Sequence, residues 1–378
     1  MNISAHWLLG EQGFLENRTV RVQDGCICAV AGQRLPGGLQ AEYLTPGLVD
    51  AHCHGGEGFN ARDFGLDEIR PFLEKMLASG VTDFLMTLST GTKARMRHGM
   101  DVTRQAMALQ KEGKLGGARI RGVHLEGPFL SLSAAGAMQT SAILPPSPAA
   151  FDDFFAGDED MIREVTLAPE EPGADELMLH LKKKGIRIQA GHTNATYDQA
   201  RHAFACGAGS LCHSFNGCRG IHHREPGVVL AALENEHIYM EAICDLVHLH
   251  PAILRLIYRM KGPDRMMAIS DSTVTHGLPD GEYHVEGYDI VVKDGVSRTA
   301  QGNLDGGGAY LDQAVRNLVS IGIPLDDAFR MACRTPARRL GLDGLGVLRP
   351  GAADHLVGWS KELHPLFAVL DGQVVSFR

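Results

Sequence analysis

The chain has 378 residues, 44% of them hydrophobic and 21% charged, with 36 Lys and Arg against 45 Asp and Glu and a formal net charge of −9. That is the balance of a globular chain long enough to bury a sizeable core, and its acidic excess argues against a nucleic-acid footprint or electrostatic docking on an anionic membrane. No apolar run approaches the roughly 18 residues of a membrane span, and the opening MNISAHWLLGEQGF has neither a basic stretch nor a long apolar one, so a cytoplasmic location is expected.

The first 45 residues read as short strands at 19–22, 27–31 and 41–44, separated by Gly, Asp and Pro turns. From residue 47 the pattern alternates. Apolar runs at 47–52, 82–87, 120–125, 164–168, 186–190, 210–212, 239–243 and 266–269 read as buried strands. Helical patterns at 67–79, 93–111, 175–184, 197–205 and 251–260 lie between them, and two more follow at 311–319 and 325–340. Strand–helix alternation implies a parallel sheet, and eight units favour a (β/α)8 TIM-type barrel over an open doubly wound sheet. A β-hairpin inserted at about 281–304 interrupts the alternation. The end of the chain returns to strands at 346–348, 355–359, 368–370 and 374–377, with Asp371-Gly372 as a hairpin turn. The expected organisation is α/β: a barrel over 46–344, and a small β-sandwich domain built from 1–45 plus 345–378.

Eight cysteines, at 26, 28, 53, 206, 212, 218, 244 and 333, form no CxxC pair and read as free thiols of a reducing compartment. The 18 histidines are more informative, because several stand at predicted strand ends. Strand 1 ends in Asp50-Ala51-His52-Cys53-His54 and strand 3 in His124-Leu125-Glu126. Strand 5 ends in Gly191-His192, strand 6 in Cys212-His213, strand 7 in Asp245-Leu246-Val247-His248 and strand 8 in Ser270-Asp271. Barrel enzymes place their chemistry at these C-terminal ends. His52 and His54 are two apart and share one face of a strand, while Cys53 points the other way. Glu126, His192 and His213 come from separate strands and converge on the axis. Imidazole and carboxylate donors of this kind suit zinc or a similar divalent ion, with an open position for water. Each histidine taken alone reads more simply as a packed or surface residue; the set points to a metal site. His124 reads equally as packing or as support for Glu126, His222 and His223 as exposed loop residues, and His250 as the start of a helix.

The stretches Thr45-Pro46-Gly47-Leu48-Val49-Asp50-Ala51-His52-Cys53-His54, His124-Leu125-Glu126-Gly127-Pro128-Phe129, Gly191-His192-Thr193-Asn194-Ala195, His213-Ser214-Phe215-Asn216, Arg224-Glu225-Pro226-Gly227 and Ile269-Ser270-Asp271 carry a resemblance. In this order they resemble the N-acetylglucosamine-6-phosphate deacetylase family of the amidohydrolase superfamily. Arg349-Pro350-Gly351-Ala352-Ala353-Asp354 is similar to that superfamily's return into its small β domain. The resemblance implies that Glu126, His192 and His213 hold the main metal, most simply Zn2+, and that His52 and His54 hold a second. It implies Asp271 as general acid/base and His248 as the group that polarises the scissile carbonyl. It also implies that Asn216, Gly217 and Arg224 contact a phosphosugar, with Arg224 reaching in from the neighbouring subunit of a homodimer.

Amide hydrolysis needs each of these residue types. A metal lowers the pKa of its water to about 7; a carboxylate takes the proton from that water and hands it to the departing amine; a donor steadies the oxyanion. Departures from the family pattern fall on substrate contacts. A Lys-Gly-x-His stretch is replaced by Ala134-Ala135-Gly136-Ala137-Met138, and a Leu-Ala-Gly-Ser stretch by Leu304-Asp305-Gly306-Gly307. Ala137, Leu304, Asp305 and Gly306 are therefore candidate substrate contacts of altered character. The expected reaction is deacetylation of N-acetylglucosamine-6-phosphate. N-acetylgalactosamine-6-phosphate, or another N-acyl amino sugar, is the alternative. A cyclic amide or N-acyl amino acid is a more distant one, disfavoured by the lack of a strand-end lysine. A non-catalytic scaffold is disfavoured by the intact ligand set with Asp271.

Overall fold

The computed structural model describes residues 1–285 and 288–377. Among them, eight parallel strands pair in chain order: Leu48–Cys53, Val81–Ser89, Arg119–Glu126, Ile162–Leu167, Arg187–Ala190, Ala208–Leu211, Tyr239–Ile243 and Met266–Ile269. The circle closes where the Asp271 N–H donates to the His52 carbonyl and the His54 N–H to the Ser272 carbonyl, each at 2.9 Å. Helices cover the outside, so strands are buried on both faces and read as continuous apolar runs, which is why all eight were legible. Helix Lys93–Lys111 starts on the Thr92 cap, and Tyr197–Cys206 starts on a capping box of Thr196 and Gln199.

Several expectations are corrected. Helices Pro148–Phe155 and Val228–Glu234 were not foreseen. The first carries a readable signal, Ser147 capping Ala150 with Pro148 in the first turn. The second is short and buries Val228, Val229, Ala231, Ala232 and Leu233, leaving almost no polar face to set a period. The helix expected over 325–340 is two, Leu325–Ala332 and Arg334–Leu340. Pro336 has no N–H for the Ala332 carbonyl, so the helix breaks at Cys333. The insertion is a three-stranded antiparallel sheet rather than a hairpin, Gly281–Val285, Tyr288–Lys293 and Val296–Thr299, with residues 286 and 287 outside the described residues. Asp294 and Gly295 both take positive φ in its second turn.

Strand Asn2–Gly10 was also missed, and it is central to a seven-stranded sheet made from both chain ends. The order is Gln373–Ser376, Pro365–Leu370, Leu356–Trp359, Leu39–Pro46, Asn2–Gly10, Gly13–Gln23, Cys26–Ala31. Residues 346–348 form no strand; Gly346 takes positive φ against the Cys333 carbonyl, and Leu348 serves the core with its side chain instead. Val20 and Ile27 from one end of the sheet order join Phe367 and Val369 from the other in one buried cluster, so the sheet folds over its own core as a sandwich does. Trp359 faces the barrel. It is fully buried, packs on Phe329 with ring centroids 5.1 Å apart, and donates from Nε1 to Thr45 Oγ1 at 2.8 Å. No helix among the described residues is long and apolar enough to cross a membrane.

A polar cluster centred on buried His355 and Asp83 joins the terminal sheet to the foot of the barrel. His355 Nδ1 lies 2.8 Å from Asp83 Oδ2, and its Nε2 lies 3.1 Å from Asp371 Oδ1. Arg121 also reaches Asp83, at 2.5 Å, and Arg119 reaches Asp371, at 2.7 Å. Burial opposes the charge on His355, but Asp83 and Asp371 outweigh it and raise the imidazole from 6.5 to about 9. The pair therefore stabilises the fold fully below pH 6.5 and loses that contribution as pH rises through about 9. Urea unfolding at pH 6.5 and pH 9 checks this: wild type should lose more stability over the interval than His355→Gln, and equal losses would remove His355 from the account.

Candidate active site

The expected strand-end residues converge. Glu126 is the last residue of barrel strand 3, and its Oε1 lies 2.9 Å from His213 Nε2, 3.1 Å from His192 Nε2 and 3.5 Å from His52 Nε2. Its Oε2 lies 3.3 Å from His54 Nε2. Asp271 Oδ1 sits 3.2 Å from His54 Nε2 and 3.3 Å from His52 Nε2. Two donor groups result, Glu126–His192–His213 and His52–His54–Asp271, and a third, His52–Glu126–Cys212, overlaps both.

The backbone explains the approach. A Cβ on Gly191 would stand 2.5 Å from the Cys212 Cβ, so only glycine lets strands 5 and 6 end close enough to bring His192 to His213. His192, Phe215, Leu246 and Asp271 all hold positive φ just past strand ends. Such conformations cost about 1–3 kcal/mol each and persist where surrounding structure imposes them, typically at functional sites. For Asp271 that structure is the segment 306–308. The Gly307 N–H donates to the Asp271 carbonyl at 2.8 Å, and a Cβ on Gly307 would lie 1.9 Å from the Ser270 carbonyl oxygen.

The outer ring nitrogens are committed. His192 Nδ1 meets the Ala134 carbonyl at 2.9 Å, and His213 Nδ1 meets the Asn216 carbonyl at 3.1 Å. A carbonyl only accepts, so each Nδ1 carries the hydrogen, which leaves each Nε2 to face inward as the ligand atom. Those two Nε2 atoms are 3.1 Å apart, beside a carboxylate oxygen. Three electron-rich atoms at this spacing repel unless a cation lies among them. Glu126 Oε2, which faces the cluster, is buried without a hydrogen-bond partner among the described residues, as an atom reserved for something else would be. The residues present fit a divalent ion.

The electrostatics agree. Burial opposes the charge on His52, yet Asp271, Glu126 and Glu241 raise its imidazole to about 10. Burial also opposes ionisation of Asp271 and Glu126. His52 and its neighbouring imidazoles overcome that, holding Asp271 at about 2 and Glu126 well below the ordinary carboxylate range. The cluster is a sink for positive charge.

Two supporting acids were not anticipated. Glu241, fully buried on strand 7, lies 3.2 Å from His52 Nδ1; its signal is an acid in the middle of the apolar run Tyr-Met-Glu-Ala-Ile. Asp245 accepts the backbone N–H groups of Val247 and His248 on Oδ1, at 2.8 and 2.9 Å, and its Oδ2 lies 2.7 Å from His248 Nδ1. Its signal is an Asp two and three residues ahead of the groups it holds. The Gly308 N–H adds a third donor to Asp245 at 3.0 Å. His124 lies under His52, edge-on at 4.6 Å, between the hydroxyls of Thr87 and Thr166.

The expected substrate contacts divide. Asn216 is half-buried beside the cluster, donating from its amide to the His213 carbonyl, and a Cβ on Gly217 would stand 3.1 Å from His192 Nδ1. Gly306 takes positive φ against Thr273 and the Asp271 carbonyl, and Asp305 is buried with its Oδ2 accepting from Thr273 Oγ1 at 3.3 Å. Leu304 is half-buried in a bridge to Arg298, and Ala137 is exposed. Arg224 stands exposed on the loop after strand 6, 2.7 Å from His223 Nε2.

The amidohydrolase family model matches residues 43–375. The chain belongs to the amidohydrolase family. It is 36% identical over 99% of both chains to the N-acetylgalactosamine-6-phosphate deacetylase of Escherichia coli O157:H7. It is 35% identical to the N-acetylglucosamine-6-phosphate deacetylase of Vibrio furnissii, over 84% of this chain and 79% of that one. A solved variant of the Mycobacterium smegmatis N-acetyl-D-glucosamine-6-phosphate deacetylase, in complex with N-acetyl-D-glucosamine-6-phosphate, superposes with a TM-score of 0.92 at 34% identity, covering 100% of this chain and 99% of that one. The resemblance drawn from the sequence motifs is borne out: this amidohydrolase groups with amino-sugar-phosphate deacetylases, hydrolases of carbon–nitrogen bonds.

Replacing Glu126 by Gln removes the negative charge that every inward imidazole faces. Metal affinity should fall by more than the roughly 10–100-fold that loss of an outer supporting partner costs. Equilibrium dialysis with zinc measures it; unchanged affinity would show that Glu126 holds no ion.

Proposed function

We propose that the protein hydrolyses the acetamido group of N-acetylglucosamine-6-phosphate, giving glucosamine-6-phosphate and acetate. The observation that carries the reading is the single carboxylate Glu126 facing four inward imidazoles, with Asp271 within 3.3 Å of two of them. Glu126, His192 and His213 hold one divalent ion, Zn2+, and His52 and His54 hold a second. When bound, such an ion supplies a Lewis acid and a water acidic enough to be hydroxide near neutral pH.

The chain's own residues do the rest. Asp271, ionised at neutral pH, takes the proton of the attacking water and returns it to the sugar nitrogen as the C–N bond breaks. His248, its Nδ1 committed to Asp245, has only Nε2 left for the acetyl oxygen and polarises the scissile carbonyl from there. Asn216, Gly217, Ala137, Leu304, Asp305 and Gly306 contact the sugar phosphate from one subunit. Arg224, exposed and without a carboxylate partner within salt-bridge distance among the described residues, reaches the 6-phosphate in the neighbouring site of a homodimer. Residues 46–344 form the catalytic barrel domain, and 1–45 plus 345–378 the small β domain. A reducing, cytoplasmic setting fits the eight free thiols.

One observation favours a second reading. The 36% identical relative that spans the whole chain is named for N-acetylgalactosamine-6-phosphate. A panel of N-acetylglucosamine and N-acetylgalactosamine, each with and without 6-phosphate, separates the two by acetate release. The expected result is the highest kcat/KM on N-acetylglucosamine-6-phosphate, with preference for the galactose epimer as the contrary outcome. In the same assay Asp271→Asn should lower kcat by about 10²–10⁴-fold while keeping its metal. Arg224→Ala should weaken phosphorylated substrates far more than unphosphorylated ones. Full turnover in the first variant, or equal effects on both substrates in the second, would remove those roles.

A further inference from the structure

Outside the barrel mouth, one more set of three close, unlike donor side chains converges among the described residues. Helix Ala174–Lys183 leads into barrel strand 5 and helix Tyr197–Cys206 leads out of it. His202 and Cys206 lie one turn apart on the second helix, so they share a face, and Asp175 stands opposite in the first turn of the other. His202 Nε2 lies 3.0 Å from Asp175 Oδ2, 3.1 Å from Asp175 Oδ1 and 3.5 Å from Cys206 Sγ. Their donor atoms all fall within 4.8 Å of one another.

Both partners address one ring nitrogen. An imidazole Nε2 has either a single hydrogen or a single lone pair. If it carries the hydrogen and donates it to Asp175, the thiol is left with at best a shared, poorly directed contact. If it accepts from the thiol, the Asp175 carboxylate faces a lone pair. A cation placed among the three relieves the conflict, since all three donors then point at it. The spacing suits this. Zinc bonds of about 2.3 Å to sulfur and about 2.05 Å to nitrogen, at a tetrahedral angle, put those donors about 3.5 Å apart, the separation that Cys206 Sγ and His202 Nε2 already have.

We propose that Asp175, His202 and Cys206 form a peripheral site for Zn2+ or a similar borderline divalent ion, with solvent water as the fourth ligand and the thiol proton released to bulk solvent on binding. The site is separate from the cluster around Glu126. It clips together the two helices that flank the strand ending at His192, and it converts a half-buried nucleophilic thiol into a bound thiolate.

The test uses the full-length protein with its catalytic metal loaded. Iodoacetamide alkylation of each cysteine is followed by peptide mass spectrometry with and without added zinc. A metal-bound thiolate is a poor nucleophile, so zinc should slow alkylation at Cys206 by about tenfold or more, and His202→Ala should abolish that protection. Asp175→Asn, which preserves size, is the second variant and should weaken it. Asp175 and His202 are exposed, so an unchanged thermal unfolding midpoint in metal-free buffer is expected for both variants. The same rate at Cys206 with and without zinc, or protection that persists in His202→Ala, would overturn the proposal. Neither result bears on acetate release, so this site and the deacetylase reading fail independently.

Discussion

A buried carboxylate surrounded by imidazoles organises this molecule. Glu126 is almost wholly shielded from water, and its oxygens face His52, His54, His192 and His213 from three other strands. An isolated buried charge of this kind is strongly unfavourable. It becomes tolerable only when compensating charge is held nearby, which is what a closed barrel can enforce and an open loop cannot. The closing bonds between strands 1 and 8 place the His52 carbonyl against Asp271, so the step that completes the barrel also sets the acid beside the imidazoles.

Around that centre the backbone gives up local comfort for position. Four non-glycine residues take left-handed conformations just past strand ends, and three glycines in sequence brace two of the resulting turns. Gly307 supports Asp271 through a carbonyl and Gly308 supports Asp245 through a carboxylate, so one short segment steadies both the proposed proton shuttle and the acid that holds His248. The glycine run 306–308 thus has a structural task beside the cluster.

Much of this was legible in the sequence, for identifiable reasons. Strands buried on both faces stand out as apolar runs, and metal-type residues at their ends stand out against them. His52, His54, Glu126, His192, His213 and Asp271 all fell where expected. The supporting acids stood out less: Glu241 answers to His52, far away in the chain, and Asp245 to a local turn whose left-handed Leu246 no pattern foretold. Asn2–Gly10 escaped because its buried positions, Ile3 to Ala5 and Leu8 to Leu9, do not alternate, although both its partners, Gly13–Gln23 and Leu39–Pro46, lie close by in the chain. Val228–Glu234 escaped because a short helix buried nearly all round has no period to read. The expected substrate contacts are the ones the structure gathers least, since Ala137 and Arg224 lie exposed on loops that packing constrains little.

The measurement that bears most directly on the central claim is anomalous scattering from crystals of the purified, active protein, collected on either side of the zinc absorption edge. A peak enclosed by the Glu126 carboxylate and the Nε2 atoms of His192 and His213 is the expected result. Fully active crystals with no anomalous density among those three side chains would contradict it.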